Sequence, residues 1–473
     1  MEYRFSCVLL FNNLIAKVAF PRIFLRQHWI ILTGAFVAAL ISIYIIHAFP
    51  VQYASSDEVK NIVYAHRDGT FVAKLSRLIP GNMVFDWAPP FSYSFYGLFA
   101  DNEHTRDFRL ARKTDLGKTW GQDISAHFKR NWTQDFAAFF LKLAWLNIAL
   151  FIISGINIYW ICHLLKLGKT AAIIAAFVFF FNPRIFFYVP GLWQEFLHLA
   201  MFTTALLLLI LCFYRPQRQK IVLAIFSGIL FGFCSLTKGV TGFFMMCLLP
   251  VLAYFFYLHY RKNIKLALAV IAVFYGGYFS IILPQKLVNY IEHQAFAIST
   301  NYWVNIELGL TPYEVAGGSI FKKYFQSSPD LQTREALSRQ RVLDYLQQQN
   351  LLQIVYKQAR QFIHQQLNNS QLASGFQRKK WLGLTASRAV ENLLLKVSVI
   401  LSWLAFLFGL VGIILYRFKS FGGTVLTVYI LYYLASLLIV GFNPRFFIQV
   451  LPFLGIFATF PFWHDLFPKH SKN

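Results

Sequence analysis

The chain has 473 residues, of which 57% are hydrophobic and only 14% charged, with a mean hydropathy of +0.50. A water-soluble domain of this size needs far more charge to cover its surface, so that class is excluded. The net charge of +24 does not indicate nucleic acid, because no basic cluster sits on a soluble domain; it reads as Lys and Arg fixing cytoplasmic loops and meeting anionic headgroups.

Apolar runs recur at about 29–49, 137–163, 170–189, 195–214, 221–237, 241–259, 266–284, 394–415, 424–441 and 446–463. About 20 apolar residues suffice to cross hydrocarbon, and backbone there must bond to itself, so the runs predict about ten transmembrane helices. The predicted fold class is an all-α polytopic membrane protein. Residues 1–28 read as a cytoplasmic leader, 29–463 as one transmembrane module and 464–473 as a cytoplasmic tail. The first run is too long for a signal-peptide core and follows Lys17, Arg22 and Arg26, so it is expected to be an anchor rather than a cleaved signal.

The connections alternate. Lys166–Lys169, Arg215–Lys220, Arg261–Lys265 and Arg417–Lys419 are short and basic and predict the cytoplasmic side. The other side receives short turns near Arg184–Glu195, Lys238 and Asn443–Arg445, together with two long loops at about 51–135 and 285–392. The first long loop reads as short helices along the membrane surface. In the second, Ser328-Pro329-Asp330 predicts a helix start, followed by one or two amphipathic helices in a Gln-rich stretch. Four cysteines, Cys162, Cys212, Cys234 and Cys247, lie in apolar runs and Cys7 in the leader, so neither a disulfide framework nor a zinc site is indicated.

Phe-Asn-Pro-Arg occurs twice, at Phe181–Arg184 and Phe442–Arg445, both near the outer mouth in this topology. An Asn-Pro pair ends or bends a helix and frees carbonyls beside the arginine. Asp57-Glu58 stands just beyond the first run. Carboxylates at that depth are costly unless paired, metal-bound or functional, although an acidic pair after Ser55-Ser56 also suits a helix cap.

Further segments follow in order: Tyr64, Trp87–Tyr93, Gly191–Glu195, Gly228–Gly239 containing Thr237-Lys238-Gly239, Asn289-Tyr290, Ser299–Asn305, Gly309, Pro312, Arg445-Phe446 and Leu451–Phe453. In that order they resemble the GT-C superfamily of polyprenyl-phosphate-sugar glycosyltransferases. The likeness is to the branch of protein O-mannosyltransferases and the lipid A aminoarabinose transferase. The resemblance implies an inverting transfer from a polyprenyl-phosphate-linked sugar donor to a lipid, glycan or protein acceptor. It places the active site outside the cytoplasm, with a bacterial inner membrane as the expected location and the periplasm as its facing compartment. It casts Asp57 as base or orienter of the acceptor, Glu58 as its partner and Glu195 as a second acidic residue. The insertion at about 101–135 and the Gln-rich stretch depart from the family pattern and bear on the acceptor.

Such a transfer needs positive charge near the departing phosphate. Lys238, Arg184 and Arg445 are candidates, with Lys74 and Arg77 in the first loop behind them. For Lys238 the alternative is a snorkelling helix anchor, and for the two arginines it is satisfaction of carbonyls freed beside the prolines. Carboxylates from two loops suit Mg²⁺ or Mn²⁺, but no dense ligand cluster marks a metal and none is assigned. His104, His127 and His293 read as polar surface residues. Competing functions are a transporter or flippase, which predicts interrupted helices, and a non-catalytic scaffold that binds carrier lipid.

Overall fold

The computed structural model describes residues 22–48, 71–83, 90–100, 134–186, 188–189, 194–259, 261, 263–298, 302–310, 331–368, 388–416, 420–440 and 444–463. Outside the described residues lie Asp57, Glu58 and Tyr64, the segments 84–89 and 101–133, Gly191–Trp193, and Ser299–Asn301. The same holds for Pro312, Ser328-Pro329-Asp330, 417–419, most of the leader and the tail 464–473.

Every regular element among the described residues is helical. In chain order they are α1 Arg22–Ala48, α2 Phe71–Ser76, α3 Phe91–Tyr96, α4 Gln134–Leu164, α5 Lys169–Phe181, α6 Pro183–Phe186, α7 Gln194–Tyr214 and α8 Gln217–Thr237. They continue with α9 Val240–His259, α10 Ile264–His293, α11 Tyr302–Leu310, α12 Leu331–Gln348, α13 Leu351–Phe362, α14 Arg388–Tyr416, α15 Phe421–Val440 and α16 Leu451–Ala458. Seven stretches are long and apolar enough to cross a membrane, in α4, α7, α8, α9, α10, α14 and α15. Shorter apolar stretches, His28–Tyr44, Lys169–Phe181 and Leu451–Phe462, fall at the three remaining predicted runs. The chain is an all-α polytopic membrane protein.

Prolines explain where the helices depart from the predicted runs. The run predicted over 170–189 ends at Phe181, because Asn182 takes extended backbone ahead of Pro183. The Asn182 side chain then accepts the Arg184 N–H at 2.9 Å, starting the short α6. The run predicted from 446 begins as a 3₁₀ segment, Pro444–Gln449, and becomes α-helical only at Leu451, with Pro452 in its first turn. Pro284 has the opposite outcome. The second long loop, predicted from 285, begins instead after His293, because α10 continues through the proline. Gln285 and Asn289 tie that extra helix to both outer loops. Gln285 accepts the Gly81 N–H at 3.0 Å and donates to the Met83 carbonyl at 3.1 Å, while Asn289 donates to the Ala297 carbonyl at 2.7 Å.

Two helix pairs pack almost backbone to backbone. A methyl group on Gly228 would sit 2.0 Å from the Phe274 carbonyl oxygen, and one on Gly412 would sit 2.1 Å from that of Phe457. Small residues thus let α8 meet α10 and α14 meet α16, as expected where dispersion rather than water drives helix association. The middle of the bundle is aromatic. Phe202 lies 4.2 Å, centroid to centroid, from Tyr429 and 5.3 Å from Phe231, in tilted and edge-on arrangements. The helices α11, α12 and α13 form a separate layer with its own small core of Ile306, Leu310, Val342 and Ile354.

Candidate functional site

Two helix ends meet beside the aromatic core. Glu195 lies in the first turn of α7, and Lys238 is the residue that follows α8. Lys238 Nζ sits 3.0 Å from Glu195 Oε1, with only 8% and 2% of the two side chains exposed. Each charge also suits its own helix end, a carboxylate at an N-terminus and an ammonium at a C-terminus. A charge buried this far costs several kcal/mol unless paired, so the two side chains hold one another in place. Lys238 turns inward to Glu195 and lies over the Phe446 ring, 5.3 Å from its centroid.

One helical turn below Glu195, His198 is fully buried between two partners. Its Nδ1 is 2.6 Å from Gln449 Oε1 and its Nε2 is 2.7 Å from Thr241 Oγ1. Gln449 Nε2 donates to the Glu195 carbonyl at 3.0 Å. That bond leaves Oε1 as the acceptor, so His198 Nδ1 carries the proton and Nε2 receives the Thr241 hydroxyl proton. Tyr429 donates to the Gln449 carbonyl at 3.3 Å. Gln449 therefore fixes the Pro444–Gln449 turn against the first turn of α7.

The first long loop covers this centre. Ser92 in α3 donates to Gln194 Oε1 at 3.2 Å, immediately beside Glu195. Phe91 packs on Phe233 of α8 at 4.6 Å. Tyr96 is buried, and its phenol is held above the usual range first by that burial and then by the charge of Glu195. Lys74 is also buried and donates to the Ala100 carbonyl, closing the loop on itself. Arg77 is half-buried just past α2.

Arg184 is 1% exposed. It reaches Ser402 Oγ on α14 at 3.3 Å and stacks 5.0 Å from the Phe447 centroid. Phe446 and Phe447 thus place Lys238 and Arg184 along the same 3₁₀ turn. Arg445 belongs to that turn, and its side chain lies outside the described residues, as do Asp57 and Glu58.

Of the residues proposed from sequence, Glu195 and Lys238 are in direct contact, and Arg184 approaches the same turn through Phe447. His198, Thr241, Gln449 and Tyr96 emerge only in three dimensions. Two of them left a trace in the sequence: His198 lies three residues after Glu195 in an apolar stretch, and Gln449 interrupts another. Polar side chains so placed mark functional sites in membrane proteins. Among the described residues no group of three or more His, Cys, Asp or Glu is placed to hold a metal ion. The carboxylate of Glu195 faces an ammonium, a donor set unsuited to Mg²⁺ or Mn²⁺, which need several oxygens. Chemically, the arrangement offers a desolvated carboxylate and an ammonium able to exchange partners when an anion arrives.

No family model matches the chain, and no curated protein matches it. Among solved structures it is similar to the oligosaccharyltransferase of Archaeoglobus fulgidus in the apo form, with a TM-score of 0.47 and 15% identity. It is also similar to the oligosaccharyltransferase AglB of the same organism in complex with an inhibitory peptide and a dolichol-phosphate, with a TM-score of 0.44 and 14% identity. Each likeness covers 92% of this chain and 50% of the other. The chain spans about half the length of these structures, and the chemistry of the site rests on its own residues.

Proposed function

We propose that the chain is an inverting membrane glycosyltransferase, which moves a sugar from a polyprenyl-phosphate donor to a lipid, glycan or protein acceptor on the extracytoplasmic side. The observation that carries this reading is the buried Glu195–Lys238 pair at two coincident helix ends, covered by α3 of the first long loop. An ion pair at that depth is hard to explain as packing alone. Its cover comes from the loop that also carries Asp57-Glu58.

In the proposed reaction the acceptor hydroxyl oxygen attacks the anomeric carbon and inverts it. The carbon–oxygen bond to phosphate breaks, and polyprenyl phosphate departs with the electron pair. The acceptor proton passes to Asp57, with Glu58 beside it; positioned general-base help of this kind contributes about 10²–10⁴ in rate. Lys238 swings from Glu195 toward the phosphate, and Arg184 from α6 and Arg445 from the Pro444–Gln449 turn stabilise the same charge. Lys74 and Arg77 belong to the phosphate-facing side of the first loop. Guanidinium groups grip phosphate bidentately, whereas the ammonium acts as a point charge. Asp57 and Glu58 are the carboxylates that would meet a Mg²⁺ or Mn²⁺ ion, since Glu195 is taken up by the Lys238 ammonium, and no step above depends on one. A bacterial inner membrane, with the site facing the periplasm, is the location that goes with this reading.

The test is transfer of radiolabelled sugar from membrane lipid carriers, comparing wild type with Asp57→Asn at matched folded abundance. Transfer by the wild type alone supports the assignment. Equal transfer by both moves the base to Glu58 or Glu195.

A second reading, a transporter or flippase, has one observation in its favour. The break at Asn182-Pro183 interrupts an apolar helix, and Arg184 just beyond it packs on Phe447 of the Pro444–Gln449 turn. Flux of a lipid-linked substrate across proteoliposomes with no new glycosidic bond would select it.

A further inference from the structure

The helix α13 has more apolar surface than the protein covers. It starts at Asn350, whose side chain accepts the Leu352 N–H at 2.9 Å, and runs through LLQIVYKQARQF. At 100° per residue this sequence forms three stripes. One stripe, Ile354, Gln358 and Phe362, is buried. Ile354 enters the small core of the α11–α12 layer. Gln358 donates to the Gly309 carbonyl at 3.1 Å, and Phe362 packs 5.7 Å from Phe406 and 6.0 Å from Phe447.

A second stripe is apolar and open. Leu352 and Tyr356 are 77% and 71% exposed, and Val355 and Ile363 continue the face. The third stripe, between the other two, is polar and carries Gln353, Lys357, Arg360 and His364. Lys357 lies near Tyr345 of α12, its Nζ 3.4 Å from the Tyr345 hydroxyl. No acidic residue occurs anywhere in the helix.

We infer that α13 is a membrane-surface helix, seated by its open stripe in the headgroup–acyl boundary of the same bilayer that the bundle spans. At about 1.5 Å per residue it is roughly 18 Å long, too short to cross hydrocarbon of roughly 30 Å. The remaining arrangement that satisfies an apolar face beside a basic stripe is one parallel to the surface, with Lys357 and Arg360 at lipid phosphates. Packing against the membrane-length helix α15, together with Phe362 on Phe406 of α14, fixes its height relative to the bundle. Among the described residues no carboxylate pairs with Lys357 or Arg360, and this basic stripe selects anionic lipid over a protein partner as the occupant. The second outer loop is then held to the membrane at its middle, and α11 and α12 are set over the bundle rather than free in water.

The experiment uses the full chain in nanodiscs of mixed phosphatidylcholine and phosphatidylglycerol, in a Cys7→Ala, Cys247→Ala background. Cys162, Cys212 and Cys234 stay in place because they are buried. Spin labels are placed one at a time through Leu352→Cys, Gln353→Cys, Tyr356→Cys and Arg360→Cys. Relaxation by oxygen, which concentrates in lipid, is compared with relaxation by a water-soluble nickel chelate. Labels at 352 and 356 are expected to show an oxygen-to-nickel ratio several-fold above those at 353 and 360. Nickel access at all four positions would overturn the inference by leaving the face in water. Shielding of 352 and 356 from both reagents would overturn it by showing that protein covers the face. The outcome is independent of any sugar transfer.

Discussion

Among the described residues, two carboxylate–cation pairs sit in contrasting surroundings. Glu195–Lys238, at 3.0 Å, has both side chains almost wholly buried at the ends of two apolar helices. Glu307–Arg341, at 3.5 Å in the α11–α12 layer, leaves the arginine 43% exposed. The glutamate of this second pair is only 9% exposed, but water reaches the arginine and screens the pair from that side, which weakens its contribution. The first is nearly out of reach of water, so either member alone is an uncompensated buried charge. A chain has little reason to retain such a pair for stability, since apolar residues would fill the space at lower cost. That contrast is why the inner pair, and not the outer one, is the candidate site of the proposed chemistry.

Breaking the inner pair should have the largest effect. Lys238→Met is expected to cost about 3–5 kcal/mol, the usual range for stranding one partner of a buried pair. The loss is measurable by denaturant unfolding in detergent. The Glu195→Gln, Lys238→Met double variant should recover much of it while remaining inactive in sugar transfer. Next comes the close approach beneath the site. Gly228→Val forces atoms into the Phe274 backbone, and its expected cost is about 1–3 kcal/mol or more, read as a lower midpoint of thermal unfolding.

The outer layer should respond less. Glu335 on α12 accepts the backbone N–H of Trp303 at 2.8 Å at the start of α11. Glu335→Leu removes that cap at an expected cost of about 1–2 kcal/mol. The loss should appear as faster hydrogen exchange confined to Tyr302–Leu310, with the bundle unchanged. Arg341→Ala should be the mildest, within about 1 kcal/mol, and added salt should shrink even that difference. A large, salt-insensitive effect at Arg341 would erase the contrast between the two pairs.

The same contrast shows what could be read from the sequence. Among the described residues seven of the ten predicted runs returned as helices long and apolar enough to cross, because hydrocarbon thickness sets a length that residues 195–214 or 221–237 meet without help from any neighbour, while the other three returned as shorter apolar stretches. Glu195 was legible only through the family resemblance, and Lys238 as a cation of the Thr237-Lys238-Gly239 segment suited to a departing phosphate. The Phe-Asn-Pro-Arg repeat marked both helix interruptions. What stayed hidden depends on contacts between distant residues. Gln449 acquires its role only by meeting His198 and the Glu195 carbonyl, and nothing local in Phe446–Phe453 announces that meeting. The long loop predicted from 285 starts only after His293, where Gln285 and Asn289 of α10 find partners in both outer loops. Tyr96 likewise looked like one aromatic among many until burial set it beside Glu195.

The measurement that tests the central claim most directly is sugar transfer by the purified full chain in nanodiscs, supplied with a panel of polyprenyl-phosphate-linked sugars. Wild type and Glu195→Gln would be compared at equal folded abundance. Labelled product from the wild type, with the rate of the variant reduced by at least an order of magnitude, is the predicted result. Undiminished transfer by the variant would remove the buried pair from the chemistry. Absence of product from the wild type across the panel would contradict the glycosyltransferase reading itself.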